Sequence, residues 1–388
     1  MKNPDPRFVR FVPAVVYRGL ERPHLLHLLR DELYELDDEG LAFIAEVEEA
    51  RPAGKIKNRE LFEFAESEGL LEFSDEPEPR KLGRGQSPVP SLRYLELILT
   101  YRCNLHCRHC YQGGSRNQDL DPGLLEDLLV EFDQMQGLRL LLSGGEPLLY
   151  PHRDRLIRAL AGRGYRVVLI TNGHLLDHEA LADLPLHEVQ VSLDGMERGH
   201  DSLRGEGSFR RALSAARRVR ERGLDLSVAT MIHSENLAEM GELKRLVREL
   251  EAREWSLEVP TPAGKQGQAE INLDRAAELM ARGFGGSYHG SAEGFACGHH
   301  LAAVLPGGRL AKCGFYEDRP LADLKNGLRG AWLKKPALRV SELPFCRDCA
   351  AALECGGGCR FRAGGDGPDP IMCAAYGWPK GEVGFGEG

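Results

Sequence analysis

Three cysteines lie within one short stretch of the chain, at Cys103, Cys107 and Cys110. Three residues separate the first pair and two separate the second, so the three thiol groups can converge on one small volume. A cubane iron–sulfur cluster is bound by cysteine thiolates and has four irons to ligate. Three thiolates would leave one iron free to bind another molecule. The spacing therefore predicts an incompletely ligated iron–sulfur cluster.

Seven further cysteines follow position 296 and are also closely spaced: Cys297, Cys313, Cys346, Cys349, Cys355, Cys359 and Cys373. Disulfides explain them poorly, because the chain is large, shows no export signal and has its cysteines at short intervals. Zinc is the stronger rival, since the two pairs that begin at Cys346 and Cys355 could form a zinc knuckle. For the first three cysteines zinc fits less well, because no nearby fourth ligand would close a tetrahedral site. We favour several iron–sulfur clusters.

Composition and charge exclude several classes of protein. The chain has 388 residues, of which 42% are hydrophobic and 28% charged, as in soluble globular proteins of two or three domains. Its formal net charge of −9 argues against a dedicated nucleic-acid-binding protein. No apolar run reaches membrane-spanning length, and residues 1–6 have no apolar segment typical of a secretory signal. We expect a cytoplasmic protein with no nucleic-acid or membrane partner, whose cysteines bind metal.

The two ends of the chain differ in composition from its middle. Residues 1–73 show short strands, two helices and a closing strand, which suggests a winged-helix shape or another small α+β cap. Residues 74–92 contain four prolines and many charges, a composition typical of linkers. Residues 296–380 show little periodic structure and too little apolar surface for their own core, so ligated metal would supply much of their folding free energy. Residues 381–388 are predicted to be a disordered tail.

Between these ends, strands and helices alternate. Apolar runs predict strands at 94–100, 138–142, 165–170, 188–193, 224–232 and 254–259. Apolar periodicity predicts helices at 121–136, 152–162, 177–183, 208–222 and 236–251. Such alternation indicates an α/β fold with a parallel sheet and right-handed crossovers. A closed eight-fold barrel would need two more units, so we predict an open, partial (β/α)6 barrel of the TIM type.

Candidate ligand-binding residues follow several of these strands. In such folds, functional groups lie at the carboxyl ends of the strands, and the first three cysteines follow the first strand. Polar and glycine residues follow the next three strands, at Gly144, Gly145, Glu146, Asn172 and Asp194. Paired glycines let the backbone approach a ligand closely, and a glutamate can accept hydrogen bonds from an ammonium group. The alternative at each place is an ordinary turn.

Together these residues resemble the signature of radical S-adenosylmethionine (SAM) enzymes. The resemblance rests on the cysteine triplet and on four further motifs: Gly144-Gly145-Glu146, the Asn172 turn, Val191 to Gly195, and His200-Asp201 with Arg204-Gly205 ahead of Ser208-Phe209. The later cysteines resemble the SPASM extension of that superfamily, with Cys297, Gly308 and Cys313 matching its first half and the last five cysteines its second. The match covers roughly residues 93–380.

The resemblance also implies a division of the chain. Residues 1–73 are similar in shape and element order to the PqqD-like peptide-recognition domain of enzymes that modify ribosomally made peptides. Residues 74–92 would then be a linker, residues 93–283 the radical SAM partial barrel, and residues 284–380 a cysteine-rich SPASM domain that binds auxiliary clusters. The winged-helix-like first domain would bind the leader of a precursor peptide.

The resemblance implies the cofactors and the reaction. Cys103, Cys107 and Cys110 would ligate three irons of a [4Fe–4S] cluster, whose fourth iron would chelate the amino and carboxylate groups of SAM. One electron would cleave SAM to methionine and a 5′-deoxyadenosyl radical, which abstracts a substrate hydrogen. Seven residues match positions that contact SAM: Gly144, Gly145, Glu146, Asn172, Ser192, Asp194 and Arg204. His109 and Tyr111 would approach the adenine.

Two auxiliary iron–sulfur clusters are implied as well. The outer cluster would be bound by Cys346, Cys349, Cys355 and Cys373, and the inner one by Cys297, Cys313 and Cys359. Seven cysteines cannot fill eight ligand positions, so the fourth ligand of the inner cluster is open. Either His289, His299, His300 or another group completes it, or one iron stays free for a substrate thiolate. We expect His299 and His300 to be solvated loop residues rather than ligands.

One function is favoured over two alternatives. A radical SAM peptide maturase would bind the leader of a ribosomally synthesised precursor peptide by strand addition and install a thioether or carbon–carbon crosslink in its core. An electron donor such as flavodoxin or ferredoxin would reduce the cluster. The alternatives are a protein dehydrogenase of the anaerobic sulfatase-maturating type and a catalytically inactive iron–sulfur scaffold or binding protein. The sequence assigns no catalytic base.

Overall fold

The computed structural model describes residues 6–260, 273–280, 283 and 292–376. Three predictions concern residues outside these ranges, wholly or in part. They are the candidate ligand His289, the tail at 381–388 and the domain boundary between residues 283 and 284. Within the described ranges, no helix is both long enough and apolar enough to span a bilayer.

The first part of the chain forms a small α+β unit with its own hydrophobic core. Its elements are β1 (Phe8–Phe11), β2 (Val15–Gly19), β3 (Pro23–His27), β4 (Glu32–Glu35), α1 (Asp38–Glu48), α2 (Arg59–Ser67) and β5 (Leu71–Ser74). Strands β2, β3 and β4 form an antiparallel sheet in that order, and β1 pairs with β5. Helix α1 begins at Asp38 because the side chain of the preceding Asp37 accepts a hydrogen bond from the Gly40 N–H at 2.8 Å.

The middle of the chain forms the predicted partial barrel. Its strands are β6 (Tyr94–Thr100), β7 (Arg139–Gly144), β8 (Arg166–Thr171), β9 (Glu188–Ser192), β10 (Asp225–Met231) and β11 (Glu254–Glu258). Its helices are α3 (Pro122–Gln134), α4 (Arg153–Leu160), α5 (His178–Asp183), α6 (Glu197–Arg204), α7 (Ser208–Glu221) and α8 (Met240–Glu249). All six strands are parallel to their neighbours and follow each other in sheet order, as expected for right-handed crossovers.

The sequence does not predict helix α6. Its residues are mostly polar, so no apolar periodicity marks it. The helix ends at Gly205, where φ is 105°, and local hydrogen bonds then start helix α7. The Asp201 carboxylate accepts from the Gly207 and Phe209 N–H groups at 2.7 and 2.8 Å. These hydrogen bonds fix the turn between α6 and α7. Arg204, the last residue of α6, therefore lies close to the barrel rim.

The last part of the chain extends the barrel sheet, which the sequence does not predict. Its elements are α9 (Leu273–Met280), β12 (Leu301–Leu305), β13 (Arg309–Ala311), β14 (Ala322–Asp323), α10 (Leu328–Trp332), α11 (Ala352–Cys355) and α12 (Pro370–Ala375). Strand β12 pairs in parallel with β6, and β13 and β14 follow in antiparallel order, which gives nine strands.

This pairing shows how residues 296–380, which were expected to have too little apolar surface for their own core, bury apolar side chains. Ala302 and Val304 of β12 and Trp332 of α10 are buried in the core of the barrel itself. Strand β12 is buried along its whole length. The free edge of β6 supplies its backbone partners, so a neighbouring domain provides the core that the segment lacks.

The two faces of the barrel sheet differ in polarity. Leu95 and Leu97 of β6 are fully buried between the sheet and the helices. Successive strand residues point to opposite faces, so the residues between them face the concave side of the sheet. On β6 this face carries Glu96, and on β9 it carries Gln190 and Ser192. The concave face is therefore partly polar, as expected for a surface that receives a substrate.

The N-terminal unit packs against the amino ends of the barrel strands. Asp31, in the turn between β3 and β4, pairs with Arg166 at the start of β8, with Nε and Oδ1 3.4 Å apart. The Arg166 side chain is 0% exposed, donates to the Leu28 carbonyl and also pairs with Glu188 at 3.2 Å and Asp225 at 2.8 Å. The buried guanidinium of Arg166 thus joins the N-terminal unit to two further barrel strands, and Arg139 of β7 forms a second ion pair with Asp31.

We expect Arg166→Met to lower the free energy of unfolding by about 3–5 kcal/mol, because it takes the paired cation away from the buried carboxylate of Glu188, whereas Asp31 keeps its ion pair with Arg139. Chemical denaturation would measure the loss. Arg253→Met is the matched control, since Arg253 also pairs with Asp31 but is 36% exposed, and it should cost about 1 kcal/mol or less. Equal losses in the two variants would show that burial of Arg166 does not decide the docking.

Candidate active site

The loop that carries the first three cysteines is fixed at both ends beside β6. Arg102 and Asp119 pair side by side, with Nε–Oδ1 and Nη2–Oδ2 distances of 3.0 Å. The Thr100 hydroxyl donates to the same carboxylate at 2.6 Å. The Arg116 guanidinium lies over the Tyr101 ring, 4.0 Å from its centre. The loop therefore leaves the carboxyl end of β6 and returns to it, which places the three cysteines at the barrel rim.

The three thiols of this loop are free and occupy one poorly solvated region. Burial first, and then the neighbouring Cys107, Glu146 and Cys110, raise the pKa of Cys103 to about 11. The pKa of Cys107 is also raised, because the effect of burial outweighs the opposing effect of the positive charge of Arg204. Thiolates in such a region need positive charge nearby, which bound iron would supply.

Among the described residues, no three His, Cys, Asp or Glu side chains form a site for a single metal ion. A four-iron cube binds each thiolate at a different corner, so its ligands lie further apart than the ligands of one ion. Ligation of a cluster by these cysteines stays a prediction.

The turn formed by Gly144, Gly145 and Glu146 packs directly against the cysteine loop. The Gly145 N–H donates to the Thr100 carbonyl at 2.9 Å, and the Glu146 N–H donates to the Arg102 carbonyl at 2.8 Å. A Cβ on Gly145 would lie 2.4 Å from the Arg102 oxygen, and one on Gly144 would lie 2.5 Å from the Thr100 oxygen. Both glycines are therefore required for this contact, whatever they bind in addition.

Glu146 is fully buried and ties two strand ends together. Its carboxylate accepts from the Thr171 hydroxyl at 2.9 Å, the Asn172 N–H at 3.0 Å and the Leu148 N–H at 3.2 Å. Burial raises the pKa of Glu146 to about 7, while these hydrogen bonds and Arg204 act in the opposite direction. The sequence predicts a contact with SAM for Glu146. The observed hydrogen bonds brace the ends of β7 and β8, a role that the sequence does not reveal.

Asn172 and Ser192 lie at the same rim. The Asn172 side chain donates to Asn104 of the cysteine loop at 2.8 Å and accepts from the His174 N–H at 2.9 Å. It therefore fixes the turn after β8 to the cysteine loop. This contact agrees with the alternative that Asn172 belongs to an ordinary turn. Ser192 is the last residue of β9 and is partly exposed on the concave face. Contacts of either residue with SAM stay predictions.

Asp194 and Arg204 form a buried ion pair beside the cysteine loop, with Arg204 Nε donating to Asp194 Oδ2. The other carboxylate oxygen of Asp194 accepts from the Met231 N–H at 2.7 Å. Burial alone would raise the pKa of Asp194, but the charge of Arg204 and the hydrogen bond from its guanidinium hold it well below its ordinary value. Asp194 thus orients Arg204, and Arg204 is the cation that the site offers to an anionic ligand group.

Two buried histidines near this pair have ring nitrogens without a hydrogen-bond partner among the described residues, His109 Nδ1 and His200 Nε2. Their opposite nitrogens are engaged, with His109 Nε2 3.5 Å from Arg204 Nη2 and His200 Nδ1 accepting from the Asp194 N–H at 3.0 Å. Burial lowers the pKa of both rings to about 4, so both are neutral at neutral pH. The unpartnered nitrogens fit a polar ligand such as SAM. The sequence assigns no role to His200.

Comparisons with known proteins agree with this site. Residues 97–247 match the model of the radical SAM superfamily. The chain contains a radical SAM domain. It is 27% identical over 327 residues to the mycofactocin maturase MftC of Mycobacterium ulcerans, covering 72% of this chain and 88% of the relative. It is 29% identical over 318 residues to the PqqA peptide cyclase of Methylocella silvestris, covering 71% and 85%.

A solved structure extends the similarity of fold. Streptococcus suis SuiB bound to precursor peptide SuiA matches with a TM-score of 0.64 at 15% identity, over 92% of this chain and 96% of that chain. The radical SAM interpretation and the partial-barrel fold are confirmed. Members of this superfamily bind SAM and a [4Fe–4S] cluster, and the ten cysteines are compatible with auxiliary clusters.

Beyond the radical SAM domain, the predicted inner ligands Cys297, Cys313 and Cys359 lie near one another. The Arg360 N–H donates to the Cys297 sulfur at 3.5 Å, directly beside Cys359. Burial raises the pKa of Cys313 well above its ordinary value, and the charges of Glu96, Cys297 and Cys359 add to this shift. The structure thus brings the three thiols together in one buried region.

The predicted outer ligands also lie near one another. Burial first, and then Cys355, Asp369, Cys346 and Cys349, raise the pKa of Cys373 to about 11. The Asp369 side chain accepts from the N–H of Ile371 in the first turn of α12, the helix that carries Cys373. One N-cap therefore positions this cysteine against the other three.

The expectation that His299 and His300 are solvated is wrong, because they are only 9% and 4% exposed. His300 Nδ1 lies 2.8 Å from the Ser91 carbonyl oxygen. The His299 ring stacks on Phe295 with 3.9 Å between centres, and burial lowers its pKa to about 4. His300 thus holds the linker before β6 in place. Its burial could not be predicted from its position in a loop.

We expect Gly145→Ala to impair assembly of the first cluster, because its Cβ would lie 2.4 Å from the backbone oxygen of Arg102, next to Cys103. After anaerobic reconstitution, the variant should contain about four fewer irons per chain than the wild type. Gly241→Ala is the control, since nothing lies within 4 Å of its added Cβ, and it should retain all iron. A full iron content in Gly145→Ala would contradict the role given to this contact.

Proposed function

We propose that this protein is a radical SAM peptide maturase that installs a crosslink in a ribosomally made precursor peptide. One observation carries the proposal. Two relatives named as a peptide maturase and a peptide cyclase are similar over more than 70% of the chain, well beyond the 151-residue span of the radical SAM match. The fold shared with SuiB, whose structure holds a precursor peptide, supports the same substrate class.

The residues at the rim fit the binding of SAM. Bound SAM and its cluster would supply the 5′-deoxyadenosyl radical that abstracts a peptide hydrogen. Arg204, oriented by Asp194, would bind the carboxylate of SAM, because it is a buried cation beside the cysteine loop. The free ring nitrogens of His109 and His200 would bind polar groups of the nucleoside. A small redox protein of the flavodoxin or ferredoxin type would deliver the electron.

The N-terminal unit offers a binding place for a leader peptide between β4 and α2. Strand β4 is the last strand of its sheet, and its outer edge pairs with no other described strand. Next to it, the Tyr34 and Phe64 rings meet edge to face with 5.8 Å between centres. Leu33 and Phe64 are 37% and 46% exposed. An open strand edge beside exposed apolar side chains suits a peptide added as a strand.

Anaerobic incubation with SAM and dithionite tests the activity. Synthetic peptides encoded by short reading frames next to the gene serve as substrates. We expect 5′-deoxyadenosine, and a peptide that loses two hydrogen atoms for each bond formed, both measured by mass spectrometry. Cys103→Ala should form neither product, because it lacks a predicted ligand of the first cluster.

Two other results would overturn the proposal. A peptide that loses two hydrogens without a new bond between residues would indicate a dehydrogenase. No 5′-deoxyadenosine above the Cys103→Ala level would indicate an inactive scaffold.

For the N-terminal unit, we expect Phe64→Ala to weaken binding of the full-length precursor peptide by about ten-fold, which corresponds to about 1.4 kcal/mol. Fluorescence anisotropy with a labelled peptide and the full-length protein would measure this loss. Leu333→Ala removes a similarly exposed apolar side chain from the end of α10 and should leave the affinity unchanged. Unchanged binding in Phe64→Ala would place the leader elsewhere.

A further inference from the structure

Glu96 is a charged residue in the middle of the otherwise apolar strand β6. Its neighbours Leu95 and Leu97 are 0% exposed and face the helices, so Glu96 points to the concave face of the sheet. Strands β7 and β12 flank it, with Leu141 and Ala303 in register. Part of its surface stays accessible, although it lies deep in the protein. That accessible surface can open only into the concave space of the barrel.

The contacts of Glu96 place it between two of the predicted cluster sites. Its carboxylate accepts from the Gly314 N–H at 3.1 Å, next to the predicted ligand Cys313. A Cβ on Gly314 would lie 3.2 Å from both carboxylate oxygens and 2.9 Å from the Tyr111 hydroxyl, and Tyr111 follows Cys110. The carboxylate and the phenol therefore meet where the first cysteine loop approaches the loop of the inner set.

Glu96 combines partial accessibility with the lack of an ion pair among the described residues, whereas Glu146, which also forms no such pair, is 0% exposed. Asp31, Glu188 and Asp194 each pair with an arginine. Among the described residues, no Lys, Arg or His forms an ion pair with Glu96. Burial raises its pKa, against hydrogen bonds from Ser143 and Gly314. A buried carboxylate without a cation is costly, and such groups concentrate at functional sites.

We propose that Glu96 is the catalytic base that accepts the proton released from the peptide when the crosslink forms. The inference rests on the proposed function, because it assigns a residue to the same reaction. The partial exposure of Glu96 toward the concave space is the observation that points to contact with the substrate rather than to a purely structural role.

A peptide carbon would lose one hydrogen atom to the radical that bound SAM and its cluster supply, which leaves one unpaired electron on that carbon. A second peptide group X–H loses its proton to Glu96 and joins that carbon through its electron pair. The new C–X bond holds two of the three electrons, and the third passes to a one-electron acceptor of the iron–sulfur class. The peptide loses two hydrogens in total, and Glu96 later returns its proton to solvent.

The decisive variant is Glu96→Gln, which keeps an acceptor for the Gly314 N–H but cannot take the proton. We expect 5′-deoxyadenosine formation within about two-fold of wild type, and crosslinked peptide per 5′-deoxyadenosine lowered by about 100-fold. Glu96→Asp keeps a carboxylate and should restore part of the product. Glu126→Gln changes a carboxylate on the outer helix α3 that is 43% exposed and pairs with Arg155, and it should behave like wild type.

Measurements on the reconstituted enzyme separate catalysis from structure. Glu96→Gln should keep the iron content and the visible spectrum of the wild type. Its thermal unfolding midpoint should stay the same or rise by about 2–4 °C, because a buried charge is removed. Lost iron, a lower midpoint or normal crosslinking in Glu96→Gln would each overturn the assignment. An absence of crosslinked product with the wild-type enzyme would instead contradict the proposed function itself.

Discussion

The backbone contact between the cysteine loop and the Gly144–Gly145 turn is the constraint on which the site depends. The carbonyl groups of Thr100 and Arg102 accept from the turn, and neither glycine has room for a side chain. Because parallel strands β6 and β7 are neighbours, this contact fixes the three cysteines relative to every later strand end. Glu146 then carries the same constraint to β8 through its bonds to Thr171 and Asn172.

Buried charge is distributed unevenly along the barrel. At the amino ends, Arg166 is surrounded by three carboxylates and joins the N-terminal unit to the sheet. At the rim, Asp194 holds Arg204 in place. Between these two paired sites, Glu96 has no arginine or lysine partner among the described residues. Glu146 also lacks an ion pair within the described ranges, but it is fully buried and its hydrogen bonds brace two strand ends. Glu96 is partly accessible, which makes it the better placed of the two carboxylates to meet a substrate.

The sequence predicted the parts of the fold that leave a periodic signal. The six barrel strands begin and end close to their predicted residues, because apolar runs mark them. Helix α6 and strand β12 were not predicted, since the start of α6 is held by the distant Glu239 carboxylate and β12 by a partner strand more than 200 residues away. The bracing bonds of Glu146 depend on tertiary neighbours that no local pattern encodes.

The placement of the N-terminal unit constrains how a peptide could reach the radical. The unit closes the amino ends of the strands, through Arg166 and the Leu28 carbonyl, whereas the cysteine loop lies at their carboxyl ends. Strand β6 has seven residues and spans about 23 Å at about 3.3 Å per residue. In the proposed arrangement, a peptide held at β4 would therefore need at least about seven extended residues to reach the carboxyl ends of the strands. The proposed leader site and the reacting residues of one substrate are thus separated by about the length of a barrel strand.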